Sequence, residues 1–278
     1  MAAALCSGCS TAPFKITDSF ASYYAKNKEE VGSDLKGMAS DLAVLSDSEA
    51  TDPNYQSNDY ADLLINDSTN EVLESYHCFD RLYPASITKV MTALLTLEHG
   101  NMDDEITLKH DINLTENGAV ISTLTKGDTV TVGQVFHTML IKSANDCAVI
   151  LAEYVAGSES KFIDMMNAKA KELGATHTHF VNPNGLHDNN HYTTAYDLYL
   201  IFKEAVKYDT FVDTVSSKDY TMTYTTPKKT QINEYMQSTN YYLLNEFPVP
   251  EGVVMYGGKT GTTSMAKSCL ILMTKNKK

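Results

Sequence analysis

The sequence predicts an α/β (α+β) protein in which an antiparallel sheet, built from N-terminal and C-terminal segments and packed with helices, lies beside a mainly helical lobe. Strand patterns occur towards both ends of the chain, at 60–76 and 256–273. Between Ser86 and Asn240, most apolar residues recur at helical spacing. A helical insert between distant strands indicates two lobes with a cleft between them.

The N-terminal segment, 1–58, is predicted to be a helical and linker region outside this fold. Apolar residues up to Leu45 recur loosely at helical intervals, whereas 46–59 is polar and acidic. The main domain is therefore predicted to cover 59–278.

Local patterns predict the elements of the main domain in order. A hairpin is predicted at 60–76, because apolar strand residues flank a turn rich in Asn and Asp. Helical periodicity predicts helices at 86–99, 132–155, 161–173 and 196–206. Strands are predicted within 106–132, at 220–224, and as a closing pair at 256–273.

Length and charge restrict the possible functions. A chain of 278 residues can bury a full core. Its formal net charge of -13 argues against a nucleic-acid partner, because the phosphate backbone would be repelled. Three lysines in motif segments, Lys89, Lys142 and Lys259, nevertheless allow a locally positive cleft.

Apart from the terminal pair Cys6 and Cys9, the five cysteines lack zinc-type spacing, and neither Cys147 nor Cys269 has the pattern of a nucleophile. Cys147 and Cys269 lie in apolar patterns and are predicted to be small core residues. Near the start, Ser7-Gly8-Cys9 resembles the end of a bacterial lipoprotein signal, in which Cys9 would carry lipid and tether the protein to a membrane. A basic flank is missing, so a mis-called start or a truncated signal is the alternative.

Ser86 begins the first helical pattern of the main domain. Pro84 cannot continue a helix backwards, so Ser86 is predicted to lie in the first turn, where free N–H groups can stabilise an oxyanion. Lys89 follows one turn later on the same face. A serine needs a base to become a nucleophile, and a lysine whose pKa is lowered can be that base.

Two further motifs follow Ser86 and Lys89 along the chain. Ser143-Ala144-Asn145 is a polar interruption between two apolar helical runs, and Lys259-Thr260-Gly261 lies in the predicted closing strand pair. In this order, S-x-x-K, S-x-N and K-T-G form the signature of penicillin-binding proteins and class A β-lactamases. Three motifs in order and in context are far more specific than S-x-x-K alone.

Over roughly residues 60–275, the chain resembles low-molecular-weight penicillin-binding proteins of the D-alanyl-D-alanine carboxypeptidase type, peptidase family S11, with a β-lactamase/transpeptidase-like fold. The stretches 182–188 and 192–197 extend this resemblance beyond the three motifs. The resemblance implies a serine peptidase that trims peptidoglycan stem peptides ending in D-Ala-D-Ala, outside the cytoplasm in the cell envelope. It also implies covalent inhibition by β-lactam antibiotics.

The resemblance also implies a role for each motif residue. Ser86 would attack the carbonyl between the two D-alanines, Lys89 would accept its proton, and Ser143 would relay a proton to the leaving amine. The substrate-binding residues would be Asn145, Lys259, Thr260, Gly261, Thr262 and Thr263. The N–H groups of Ser86 and Thr262 would form the oxyanion hole.

No cofactor and no metal are implied. His187, Asp188, His191 and Asp197 invite a metal or triad interpretation, but no H-E-x-x-H pattern is present. A polar loop and a helix start account for these four residues more simply.

Two alternative functions remain open. A class A β-lactamase would have a glutamate followed four residues later by asparagine between S-x-N and K-T-G, and no glutamate there has that spacing. Slow deacylation is therefore predicted, and a β-lactamase is the weaker alternative. The other is a catalytically weak protein that binds penicillin or muropeptides without turnover.

The sequence departs from the family pattern at two points. Lys267 replaces a small residue and is predicted to crowd the turn after K-T-G. The chain stops at Lys278, whereas the family pattern continues with another strand and a helix, so a C-terminal truncation that exposes sheet edges is predicted. A fragment, a truncated product, and a variant whose N-terminal segment fills the gap remain open.

Overall fold

The computed structural model describes residues 42–43, 60–114, 116 and 118–277. Apart from residues 42–43, the predicted N-terminal helical segment lies outside these residues, as do the whole linker 46–59 and Cys9. The chain divides into two compact units, the first ending at Tyr76 and the second beginning at His77. The predicted domain boundary at residue 59 stays a prediction.

The first unit contains the predicted N-terminal hairpin. Strands β1 (Asp62–Asn66) and β2 (Glu71–Tyr76) pair antiparallel, with a bulge between Leu64 and Ile65. At the turn, the Asn66 side chain accepts a hydrogen bond from the Ser68 N–H at 3.1 Å, as expected of an Asn-initiated turn.

The second unit contains two antiparallel sheets. Strands β3 (Glu105–Thr107), β4 (Thr129–Thr131), β5 (Asp219–Thr225) and β6 (Gln231–Gln237) form one sheet in that spatial order. The long strands β7 (Val253–Thr263) and β8 (Lys267–Asn276) pair with each other. The mixed α/β class with antiparallel sheets is confirmed, and in the hydrogen-bonding pattern the strands near each end of the chain pair locally as hairpins.

Six α-helices are found in the described part of the second unit: α1 (Lys89–His99), α2 (Val132–Ile141), α3 (Asn145–Ala156), α4 (Glu159–Glu172), α5 (Ala195–Ala205) and α6 (Asp209–Val215). The region predicted to be helical at 132–155 is two helices, because the chain turns at Ser143, whose φ is 64°. Helix α6 was not predicted. Among the described residues, no helix has the length and apolar composition needed to cross a bilayer.

Helix α1 lies at the centre of the core. Every residue from Lys89 to Thr96 is buried, and the helix packs against α2, α3, α4 and α5. A helix that is covered on all sides brings its first turn into the interior as well. The sequence motif S-x-x-K therefore enters the core and does not lie on a surface helix.

Candidate active site

Ser86 lies in a 3-10 turn, Ala85–Thr88, that leads directly into α1. Pro84 precedes the turn, as expected of a residue that favours helix starts. Ala85 has a φ of 47°, a left-handed conformation that is uncommon for residues other than glycine. Ser86 is partly exposed, whereas its neighbours Ala85 and Ile87 are buried.

Lys89 is fully buried and has three polar neighbours. Its Nζ lies 2.8 Å from Ser86 Oγ, 2.8 Å from Asn145 Oδ1 and 2.6 Å from the carbonyl oxygen of Asn184. Burial, followed by the nearby charge of Lys259, lowers the pKa of Lys89 well below its usual value. A neutral amine can donate to the two carbonyl oxygens and direct its lone pair at the Ser86 hydroxyl, which makes Lys89 a suitable base.

The carbonyl oxygen of Asn184 is a contact that sequence reasoning missed. The turn 182–186 presents it, because Asn182 Oδ1 accepts hydrogen bonds from the N–H groups of Asn184 at 3.3 Å and Gly185 at 2.7 Å. Gly185 has a φ of +87°, and a Cβ there would lie 1.9 Å from the Ala85 carbonyl oxygen. The Asn-Pro-Asn-Gly sequence indicates a turn, but a backbone acceptor has no side-chain signature.

The residues of S-x-N lie on both sides of the break between α2 and α3. Ser143 Oγ accepts a hydrogen bond from Lys259 Nζ at 2.9 Å. Asn145 is the first residue of α3, and its Nδ2 donates to the Val120 carbonyl oxygen at 3.0 Å. Donation to Val120 and acceptance from Lys89 together fix the orientation of the Asn145 amide.

Lys259 is a second buried lysine in the same cluster. Besides Ser143, its Nζ donates to the Thr260 carbonyl oxygen at 2.7 Å. Burial lowers the pKa of Lys259 from 10.5 to about 7. Its ammonium and amine forms are therefore comparable in population near neutral pH.

Gly261 is in contact with the backbone of the Ser86 turn. A Cβ at Gly261 would lie 2.8 Å from Ser86 N and 3.1 Å from Ile87 N. Only a residue without a side chain lets β7 pass this close to the N–H of Ser86.

The three predicted threonines of β7 differ in their surroundings. Thr260 hydrogen-bonds through its hydroxyl to the hydroxyl of Thr239, another contact that was not predicted. Thr262 is exposed, and strand alternation places it on the same face as Thr260. Thr263 lies on the opposite face, and its hydroxyl accepts from the Ala266 N–H at 2.9 Å within the turn.

Lys267 does not crowd the turn after K-T-G, so that prediction is wrong. It is exposed, begins β8 opposite Thr263, and has a φ of 59°. Cys147 is fully buried, as predicted, whereas Cys269 is only partly buried, with its thiol 3.5 Å from the Tyr83 carbonyl oxygen.

The histidines and aspartates near the site have protein partners. His191 Nδ1 accepts from the Val181 N–H, and its Nε2 lies 2.8 Å from Thr88 Oγ1. Burial lowers the pKa of His191 to about 4, so this ring is neutral and donates to Thr88. Asp197 Oδ2 accepts from Thr178 Oγ1 at 2.7 Å. Over the described ranges, no group of three metal-ligating side chains converges.

The chain matches a known protein family over most of its length. Residues 47–278 match the family model described as D-alanyl-D-alanine carboxypeptidase, Peptidase S11. The chain belongs to this family.

Two carboxypeptidase relatives cover most of this chain. D-alanyl-D-alanine carboxypeptidase DacF of Bacillus subtilis is 35% identical over 77% of the chain and 53% of its own length. DacC of Escherichia coli is 32% identical over 73% of the chain and 50% of its own length. The chain spans about half the length of these curated relatives.

A solved structure confirms the fold of this family member. The crystal structure of the Streptomyces K15 DD-transpeptidase superposes with a TM-score of 0.70 and 29% identity, covering 77% of this chain and 84% of that one. The antiparallel sheets and helices of the present chain therefore agree with the predicted β-lactamase/transpeptidase-like fold.

Proposed function

We propose that the protein is a serine-type D-Ala-D-Ala carboxypeptidase that acts through an acyl-enzyme on Ser86. The observation that carries this proposal is the 2.8 Å distance between Ser86 Oγ and the amine of Lys89, which is buried and has a lowered pKa. A serine beside a neutral lysine is an activated nucleophile.

In the proposed acylation step, Ser86 Oγ attacks the carbonyl between the two D-alanines and its proton passes to Lys89. The developing oxyanion lies between the N–H groups of Ser86 and Thr262. The contact between Gly261 and Ser86 N supports this arrangement, because it brings the β7 backbone beside the Ser86 turn. The intermediate then collapses: the C–N bond to the leaving D-alanine breaks as Ser143 gives its proton to that amine, and the proton that Lys89 accepted replaces the one lost from Ser143.

Substrate binding is assigned to residues around this nucleophile. Lys259 supplies positive charge for the terminal carboxylate, and Thr260 and Thr262 offer hydroxyl groups on one face of β7. Asn145 donates to or accepts from the substrate amide. Thr263 is the weakest of these assignments, because its hydroxyl is already engaged with Ala266.

The second candidate is a penicillin-binding protein with slow or no turnover. One observation favours slow deacylation: within the described residues, no carboxylate hydrogen-bonds to Ser86 or Lys89. An adjacent carboxylate that activates water is what a fast β-lactamase would need. A β-lactamase is therefore the weakest candidate.

The proposed substrate and location follow from family membership. The substrate is a peptidoglycan stem peptide ending in D-Ala-D-Ala, β-lactams are covalent inhibitors, and the protein acts outside the cytoplasm. A tether through a lipidated Cys9 would keep it at the cell envelope.

Mass spectrometry after incubation with a penicillin tests the nucleophile. We expect one penicilloyl adduct on the wild type, none on Ser86→Ala, and a normal adduct on the surface control Ser68→Ala. Free D-alanine released from a D-Ala-D-Ala peptide then separates the carboxypeptidase from the binding protein. If the folded wild-type protein forms no adduct, both the carboxypeptidase and the penicillin-binding candidate are overturned.

A further inference from the structure

Glu234 on β6 links the two chain segments that hold the S-x-N motif. One carboxylate oxygen pairs with the ammonium of Lys142, and the other accepts from the N–H of Thr123 at 3.0 Å and its Oγ1 at 2.6 Å. The Glu234 side chain is only 10% exposed, and Lys142 is 28% exposed. This ion pair is therefore less open to solvent than an ordinary surface pair.

Lys142 links the Glu234 carboxylate to Ser143, because Lys142 pairs with Glu234 and is the residue directly before Ser143. Lys142 directly follows the last turn of α2, and Ser143 comes next with a left-handed φ of 64°. A non-glycine residue holds such a conformation only when its surroundings impose it. The Lys142–Glu234 ion pair holds the residue directly before this left-handed position against β6.

Thr123 connects the same carboxylate to Asn145. Three residues earlier in the loop, the carbonyl oxygen of Val120 accepts from both the backbone N–H of Asn145, at 2.8 Å, and its Nδ2, at 3.0 Å. Asp146 holds the intervening Ser122 by accepting from its N–H and its hydroxyl. The loop 120–123 is thus fixed at each end, and Glu234 is the anchor at its far end.

We propose that Glu234 is a positioning residue for acylation of Ser86, an inference that rests on the proposed function. It fixes Lys142 and Thr123 on β6 and thereby sets where Ser143 and Asn145 stand relative to Lys89. Burial by itself would raise the pKa of Glu234, but the hydrogen bonds from Lys142 and Thr123 lower it overall, so the carboxylate is ionised at neutral pH.

Glu234→Gln tests the proposal, because it keeps the shape of the side chain and removes the charge. We expect the rate constant for acylation by a penicillin to fall about tenfold to hundredfold, the effect of a displacement near 1 Å at a reacting centre. The fraction of protein that is finally acylated should stay at the wild-type value. Thr123→Val should lower the rate in the same direction, and the double variant should lose less than the product of the two effects.

The exchange of Lys142→Glu with Glu234→Lys separates positioning from simple charge pairing. A lysine cannot accept the hydrogen bonds of Thr123, so we expect the exchanged protein to remain slow. Glu204→Gln is the matched control, because it removes a carboxylate on α5 that pairs with Lys207. We expect its acylation rate to equal that of the wild type.

Three outcomes would overturn the proposal. The first is an unchanged rate constant in both Glu234→Gln and Thr123→Val while the wild type is acylated. The second is a reduced acylated fraction at a normal rate, which would mean that Glu234 only stabilises the fold. The third is full recovery in the exchanged variant. Failure of the wild type to be acylated would instead contradict the proposed function, and Thr123→Val decides the matter if Glu234→Gln does not fold.

Discussion

Lys89 differs from a lysine in a salt bridge, because no carboxylate is hydrogen-bonded to its amine. All its hydrogen-bond partners among the described residues are neutral oxygens. Burial dominates the pKa of Lys89, and the opposing effects of Cys147 and Asp146, which raise this pKa, do not offset it. The residue is therefore best suited to take up a proton briefly and give it away.

Lys89→Met should fold and lose the activity. The methionine fills a similar volume, but Ser86 has no base, so we expect the acylation rate constant to fall by about 10²-fold to 10⁴-fold. Stopped-flow acylation with a chromogenic β-lactam measures this. The exposed variant Lys207→Met serves as the control, and a Lys89→Met protein that acylates at the wild-type rate would show that another group is the base.

Lys259 should impose an alkaline limb on the pH profile of kcat/KM. Its pKa of about 7 means that, as pH rises through this value, the free enzyme loses the positive charge proposed to bind the substrate carboxylate. Lys259→Arg keeps the charge, because a guanidinium does not titrate in this range. For this variant we expect a lower maximum of kcat/KM and an alkaline limb that has moved above pH 9. A limb that stays near pH 7 would show that another group causes the limb.

At the scale of elements, a contact between two turns holds Ser86, the proposed nucleophile, in place. The 182–186 turn touches the Ala85–Thr88 turn at Gly185, and Thr92 of α1 donates to the Pro183 carbonyl oxygen at 2.6 Å. The backbone acceptor for Lys89 and the strained residue before Ser86 are consequently held by the same contact.

Gly185→Ala should disrupt this contact. A Cβ there would lie 1.9 Å from the Ala85 carbonyl oxygen, so one turn must move, and we expect a loss of several kcal/mol in stability together with slow acylation. Gly157→Ala is the matched control, because Gly157 also has a positive φ of +76° but has nothing within 4 Å of the added Cβ. That variant should lose only about 1 kcal/mol and acylate normally. Equal losses in the two variants, measured by urea unfolding, would contradict a steric role of Gly185.

The elements that sequence patterns predicted are those with local signals. The N-terminal hairpin, α1, α4, α5 and the closing strand pair were all anticipated, because each depends on periodicity or turn residues within a short window. The polar interruption at Ser143-Ala144-Asn145 was anticipated, but the left-handed φ of Ser143 that separates α2 from α3 was not.

The same distinction applies to the candidate site. Ser86 and Lys89 are three residues apart, so their contact followed from helix geometry alone. The Asn184 carbonyl, the Val120 carbonyl and the Thr123 to Glu234 link join segments far apart in sequence, and each of the three uses a backbone atom. No residue type marks such contacts in a single sequence.

For the whole molecule, buried lysines should make stability depend on pH. Between pH 7 and 10.5, the unfolded chain binds a proton on Lys259 that the folded protein does not bind. The free energy of unfolding therefore rises with pH across this window, by up to about 5 kcal/mol from this residue. Below pH 7 the lysine is protonated in both states, and its contribution no longer changes with pH.

Lys259→Met should flatten that dependence. We expect the free energy of unfolding to rise less between pH 6.5 and 9.5 in this variant than in the wild type, whereas Lys207→Met, at an exposed position, should leave the rise unchanged. Denaturant titrations at several pH values measure both. A slope that is identical in Lys259→Met and the wild type would show that the buried amine is charged in the folded protein.

The central position of α1 also makes covalent labelling a probe of folding. Ser86, the proposed nucleophile, lies directly before a helix whose residues Lys89 to Thr96 are all buried. A partly folded chain in which α1 is not yet packed should therefore lack the contact between Ser86 and Lys89. During refolding, the appearance of penicilloyl label should therefore coincide with the burial of α1 and follow any earlier formation of secondary structure. The time course of labelling by a penicillin would then report the rate of the last cooperative step of folding.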